Sequence, residues 1–294
     1  MSAQIAATKR QIGPELRLVV LPEYVLTGHP IGENFADWIA RAALAPAGVE
    51  YSLLGQISRD QDVFLGVNAY ETDDNFPGLY FQSSVVLGPR GEVLLRYRRL
   101  NSMYAVTPHD VLDRYVAIYG EEALFPVART EIGVLAAVAS EEILFPEVAR
   151  CLAMRGAEVL LHSSSEVSSA LLSPKNVAKL ARAIENGVYV VSANTAGLYG
   201  TGLPALSGDG SSKVVDYRGI VLAAAAQGES MAANAEIDLT ALRRFRGRAT
   251  QDNLLPRQRF ELYAHSYASR SFYPPNTVGA SVTSRSRFVD ATGR

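Results

Sequence analysis

"GVLAAVASEEILFPEVARCLAMRGAEVLL", residues 133–161, begins and ends in an apolar run. The first run, 133–139, is small and aliphatic, as a strand buried on both faces requires. From Phe145 the apolar residues recur at helical spacing, with Pro146 in the first turn and Gly156 at the stop. The second run then resumes a strand. Strand, corner, helix and strand make a crossover unit, and Ser140-Glu141-Glu142 occupies the corner.

The same alternation extends outward in both directions. "LRLVVLPEY" (16–24) is a buried strand stopped by Pro22. "FADWIARAALAP" (35–46) has helical spacing. "QDVFLGVNAYE" (61–71) is a strand, and "YFQSSVVLGPRGEVLLRYRRL" (80–100) is a hairpin around Pro-Arg-Gly. "VAKLARAIENGVYVVSANTAG" (177–197) repeats helix then strand. "SSKVVDYRGIVLAAAA" is a further hairpin, and "MAANAEIDL" is a late strand. These elements predict one α/β (α+β) domain with a mixed sheet over residues 1–265, and a Ser/Arg-rich C-terminal tail over 266–294, extended or mobile.

Of the 294 residues, 48% are hydrophobic and 20% charged, which suits a sizeable core and argues against disorder. The net charge of -2, with basic residues scattered, leaves no footprint for nucleic acid. Apolar runs fall short of the roughly 18 residues that cross a bilayer, so no membrane role is expected. Cys151 is the single cysteine, which excludes an intramolecular disulfide, and its apolar helical setting suits an inert thiol. His29, His109, His162 and His265 show no metal-ligand spacing, and no metal or cofactor is expected. "MSAQIAATKRQIG" lacks the apolar core of a secretion signal, so a cytoplasmic location is expected.

Two positions could carry chemistry. Glu23 lies just past a buried strand, where a carboxylate can act as a general base, though a surface glutamate fits the same spacing. Ser140 ends the strand 133–139 and could be a nucleophile or a simple turn cap; no Gly-x-Ser-x-Gly elbow surrounds it. Of Arg96, Arg98 and Arg99, the last two must face opposite ways if the strand continues, and solvated arginines are the simpler reading.

In order along the chain these segments resemble the nitrilase superfamily of carbon–nitrogen hydrolases. "LVVLPEYVLTGHP" resembles its Pro-Glu strand and following turn, with His29 in place of a tyrosine. "RYRRL" resembles its Tyr-Arg-Lys segment, and "ARAIENGVYVVSANTAG" its Arg-Ala-x-Glu-Asn…Asn-x-x-Gly segment. Gly133 and Phe145-Pro146-Glu147 anchor the stretch in which the family holds its cysteine, and they place that cysteine on Ser140. The resemblance implies a four-layer α-β-β-α sandwich that pairs as a homodimer or higher oligomer; Phe272, Tyr273 and two prolines in "SFYPPN" make the tail a candidate part of that interface. It implies a glutamate base, a lysine on the oxyanion and a cysteine nucleophile. By position these are Glu23, Arg99 and Ser140, so two of the three change type. Glu141 and Glu142 beside Ser140 are candidate ligand contacts. Asp113, Glu121 and Glu122 are candidates for the helper carboxylate found in the family's amidases.

The substitutions exclude thiol catalysis. A serine hydroxyl is a poorer nucleophile than a thiolate, and Arg99 stays protonated and can grip Glu23. The expected partner is a small amide, nitrile or carboxylate. The expected functions are hydrolysis of a non-peptide carbon–nitrogen bond, or binding without turnover. A third, weaker option is an interaction protein using the family's dimer surfaces. The family's first strand has no counterpart, so either the start is truncated or the sheet has one strand fewer.

Overall fold

The computed structural model describes residues 1–29, 34–103, 105–168, 172–200, 204–205, 207–228 and 231–278. In chain order α1 (Ser2–Ile12) precedes β1 (Leu18–Val20), followed by α2 (Phe35–Arg41) and α3 (Val49–Gln61). β2 (Phe64–Thr72), β3 (Tyr80–Leu87) and β4 (Val93–Arg98) form a meander, and α4 (Leu112–Tyr119) leads to β5 (Ala128–Thr130) and β6 (Gly133–Ala139). α5 (Pro146–Met154), β7 (Val159–Ser164), α6 (Pro174–Asn186) and β8 (Tyr189–Asn194) are two successive crossovers. β9 (Lys213–Val215), β10 (Val221–Ala224), α7 (Leu239–Arg246) and α8 (Phe260–Ala268) complete the described elements.

The strands form two sheets, ordered β1-β2-β3-β4 and β10-β9-β8-β7-β6-β5. In the second, β6, β7 and β8 are parallel, as the crossovers demand, and shorter antiparallel strands flank them. Alternation along β2 shows how the layers stack. Phe64 faces the second sheet and packs in one cluster with Leu135 and Leu160, while Leu65 and Val67 face outward onto Ile5 of α1 and Tyr51 and Leu54 of α3. Gly66 lets the sheets close: a Cβ there would stand 2.7 Å from Leu161 Cδ2. Val148, Ala149 and Leu152 of α5 and Ala178 and Ala183 of α6 cover the far face of the second sheet. The result is helix, sheet, sheet, helix, the expected four-layer sandwich.

Helix α1 stands before β1, and its Ile5 plugs the outer face of the first sheet. Two expectations change. The stretch 231–238 is not a strand; Ile237 packs against the core from irregular chain with no ladder partner, and Leu239 does so as the first residue of α7. Part of the tail is fastened to its own domain. Tyr273 and Thr277 donate from their hydroxyls to buried Asp110 Oδ1 at 2.9 and 2.8 Å, and the Val278 N–H donates to the Asp110 carbonyl at 3.1 Å. The remainder, 279–294, lies outside the described residues.

Candidate active site

Pro22 ends the chain segment after β1, and Glu23 follows it into the interior with 1% of its surface exposed. Tyr24 then takes a left-handed φ of 66°, which turns the chain away and leaves the carboxyl pointing inward. Gln82 of β3 is the bridge to Arg99. Its Nε2 donates to Glu23 Oε1 at 2.6 Å and to Asn68 Oδ1 at 3.0 Å, which orients its amide oxygen to accept from Arg99 Nη1 at 2.6 Å.

Arg99 is fully engaged. Nη1 lies 3.8 Å from Glu23 Oε1, Nη2 lies 2.5 Å from Glu141 Oε1, and Nε donates to the Asn101 carbonyl at 2.7 Å. Burial opposes its charge, but the carboxylates of Glu141 and Glu23 outweigh that and push its pKa up. Arg98 faces the other way, ion-paired to Asp73 at 2.6 Å and stacked on Phe81. Both arginines are buried, so the solvated reading of this segment is corrected.

Ser140 is buried at the end of β6 with φ 52°, a backbone state that a non-glycine residue keeps only where its surroundings enforce it. Two residues supply the enforcement. Glu142, in the 3-10 turn Ser140–Leu144, accepts from the Tyr97 hydroxyl at 2.8 Å and from the N–H groups of Leu100 and Asn101 at 2.7 and 3.0 Å. It thereby ties the chain beyond Arg99 to the Ser140 corner. Burial pushes the Glu142 carboxyl up, against the pull of Arg99 and these donors. His162 of β7 contacts the Ser140 carbonyl through Nε2 at 2.8 Å and Ser192 Oγ through Nδ1 at 2.9 Å. Burial, then the charge of Lys179, pushes its pKa down to about 3, so the ring is neutral. A carbonyl only accepts, so Nε2 carries the proton and Nδ1 accepts from Ser192. The Ser140 hydroxyl itself accepts from Lys175 Nζ of α6 at 3.4 Å.

Glu23, Arg99, Glu141 and Ser140 therefore converge at one edge of the sandwich. Glu142 belongs to the same place, but both its oxygens are taken by the protein, so it is a brace and not a ligand contact. Asp113 and Glu122 are corrected. Asp113 is exposed on α4, and Glu122 is exposed and paired with Arg155 at the end of α5. Glu121 is likewise exposed. Among the described residues no group of His, Cys, Asp and Glu could hold a metal ion. Half-buried Cys151 is pushed up by burial, which favours the unreactive thiol. Gln82, His162 and Lys175 were not singled out by the sequence reading. Only Lys175 carries a local signal, a cation at the start of a helix.

The two-sheet sandwich thus brings an inward glutamate, a buried arginine and a serine with left-handed backbone together at one edge. Residues 1–247 match the carbon–nitrogen hydrolase family, and the chain belongs to that family, within the nitrilase superfamily. It is 31% identical over 231 residues to a nitrilase of Pyrococcus abyssi, covering 77% of this chain and 79% of that one. It is 30% identical over 189 residues to a formamidase of Bacillus thuringiensis, covering 64% of this chain and about half, 52%, of the formamidase. The crystal structure of a carbon–nitrogen hydrolase from Helicobacter pylori superposes with a TM-score of 0.67 at 21% identity, over 90% of this chain and 91% of that one. No helix among the described residues is long and apolar enough to cross a membrane.

Proposed function

We propose that this chain hydrolyses a small non-peptide amide or nitrile, with Ser140 as nucleophile and Glu23 as its base. The observation that carries this is the strained, buried Ser140 backbone sharing a cluster with a carboxylate that keeps one acceptor open. Glu23 Oε2 makes no hydrogen bond of good geometry among the described residues. The Tyr24 phenol is near enough to the carboxylate for Glu23, after burial, to help hold it protonated. For an amide, Ser140 Oγ bonds to the carbonyl carbon, its proton passes to Glu23, and the C=O electron pair moves onto oxygen. Collapse expels the amine, which takes the proton from Glu23. Water then cleaves the acyl ester to the acid and frees Ser140. The names of the similar nitrilase and formamidase support small substrates of this kind.

A second reading, binding without turnover, is favoured by one contact. Arg99 holds Glu23 and Glu141 together and occupies the space beside the base. Ammonia release from formamide, acetamide and simple nitriles decides between them. Turnover that disappears in Ser140→Ala supports hydrolysis; saturable binding with no turnover supports the second reading.

The same proposal includes a homodimer. Phe145, Met154, Val177 and Ile184 leave apolar surface exposed on and beside α5 and α6, and Leu262 and Tyr267 do so on α8.

A further inference from the structure

The positive charge at the Ser140 corner is divided unevenly. Arg99, at the position where the family resemblance expects the oxyanion lysine, has all three nitrogens committed to Glu23, Glu141, Gln82 and Asn101. Lys175 approaches Ser140 from α6. Its Nζ donates to Ser140 Oγ at 3.4 Å and to the Ser165 carbonyl at 3.3 Å. Among the described residues no carboxylate lies within ion-pair distance of it, because Glu166, which feels its charge, is paired with Lys179 at 2.5 Å.

Local electrostatics oppose a cation at this place. Lys175 is the second residue of α6, after the Ser173 cap and Pro174, where the helix dipole disfavours positive charge. Lys179, one turn later, adds a like-charge neighbour. The first turn holds no acidic residue, and the carboxylate that does feel the Lys175 charge, Glu166, is already paired with Lys179. A side chain placed against both effects, with its ammonium on a buried serine oxygen, is suited to a negative charge that appears only in a working state.

We propose that Lys175 is the cation that holds the negative oxygen formed when Ser140 adds to a carbonyl carbon, the role Arg99 is too occupied to fill. Its catalytic consequence rests on the hydrolase reading above; the charge site itself does not. The oxyanion forms on the carbon bonded to Oγ, within reach of an ammonium already touching Oγ. A charge-assisted hydrogen bond then replaces the long one to the hydroxyl. Lys175 is thus a catalytic residue outside the Glu23, Arg99 and Ser140 set.

Methylboronic acid tests this, because it forms a tetrahedral anionic ester with a serine hydroxyl and needs no turnover. Its binding is measured by boron NMR and calorimetry on wild type, Ser140→Ala, Lys175→Met and Lys175→Arg, beside amide kinetics. The expected result is a Ser140-dependent adduct, weakened by about a hundredfold or more in Lys175→Met and retained within about tenfold in Lys175→Arg. Where turnover occurs, kcat should fall with KM little changed. Lys175→Met binding boronate as wild type does, or boronate binding that is absent or independent of Ser140, overturns the proposal. Lys175-dependent boronate binding with no amide turnover sinks only the hydrolase reading. Full turnover in Lys175→Met with Ser140→Ala inactive sinks only the Lys175 role.

Discussion

His162 donates its Nε2 proton to the main-chain carbonyl of Ser140 across 2.8 Å, and this bond fixes the corner from which any attack must start. It also gives the fold an acid limit. The His162 pKa falls from 6.5 unperturbed to about 3 in the folded chain, so the unfolded chain binds the extra proton first. This contribution is complete above the unfolded value and is lost as pH falls toward the folded one, at up to about 1.4 kcal/mol per pH unit. Urea midpoints between neutral pH and pH ~4 should fall accordingly, and His162→Gln should flatten that limb.

Glu142→Gln should destabilise the chain by about 1–3 kcal/mol, because an amide NH2 would face donors that now meet carboxylate oxygens. Its urea midpoint at neutral pH is the readout. An unchanged midpoint would mean the tie between Tyr97, Leu100 and the Ser140 corner has no structural weight.

The crossover frame is legible in the sequence because its signals are local. Buried runs at 133–139 and 159–164, Pro146 and Gly156 each mark their own position. The site is legible only through family order, since its contacts join distant segments. Gln82 meets Glu23 across 59 positions, and nothing in "YFQSSVVL" marks that glutamine as a bridge. His162 looks like one more residue of a buried strand. Asp113 and Glu122 match the expected charge, yet the turns that follow Arg99 carry them to the surface.

Restoring the family's residue types should restore thiol chemistry. Ser140→Cys with Arg99→Lys supplies a better nucleophile and an ammonium too compact to bridge Glu23 and Glu141 as the guanidinium does. The double variant should acylate about tenfold faster than Ser140→Cys alone, because the Arg99 fork no longer grips Glu23. Equal rates would show that Arg99 does not restrain the base.

Light scattering should give the mass of a dimer at micromolar protein. Met154→Glu with Ile184→Glu, on exposed positions of α5 and α6, should shift the species toward monomer. A wild-type monomer at every workable concentration would remove the assembly proposal.

The central claim is a working serine at the Glu23–Arg99 cluster. Its most direct test is intact-protein mass spectrometry after brief exposure to a small activated amide or ester. Wild type should gain one acyl mass, mapped to Ser140 by peptide sequencing and absent from Ser140→Ala. An unmodified wild type, or an adduct that survives in Ser140→Ala, would contradict it.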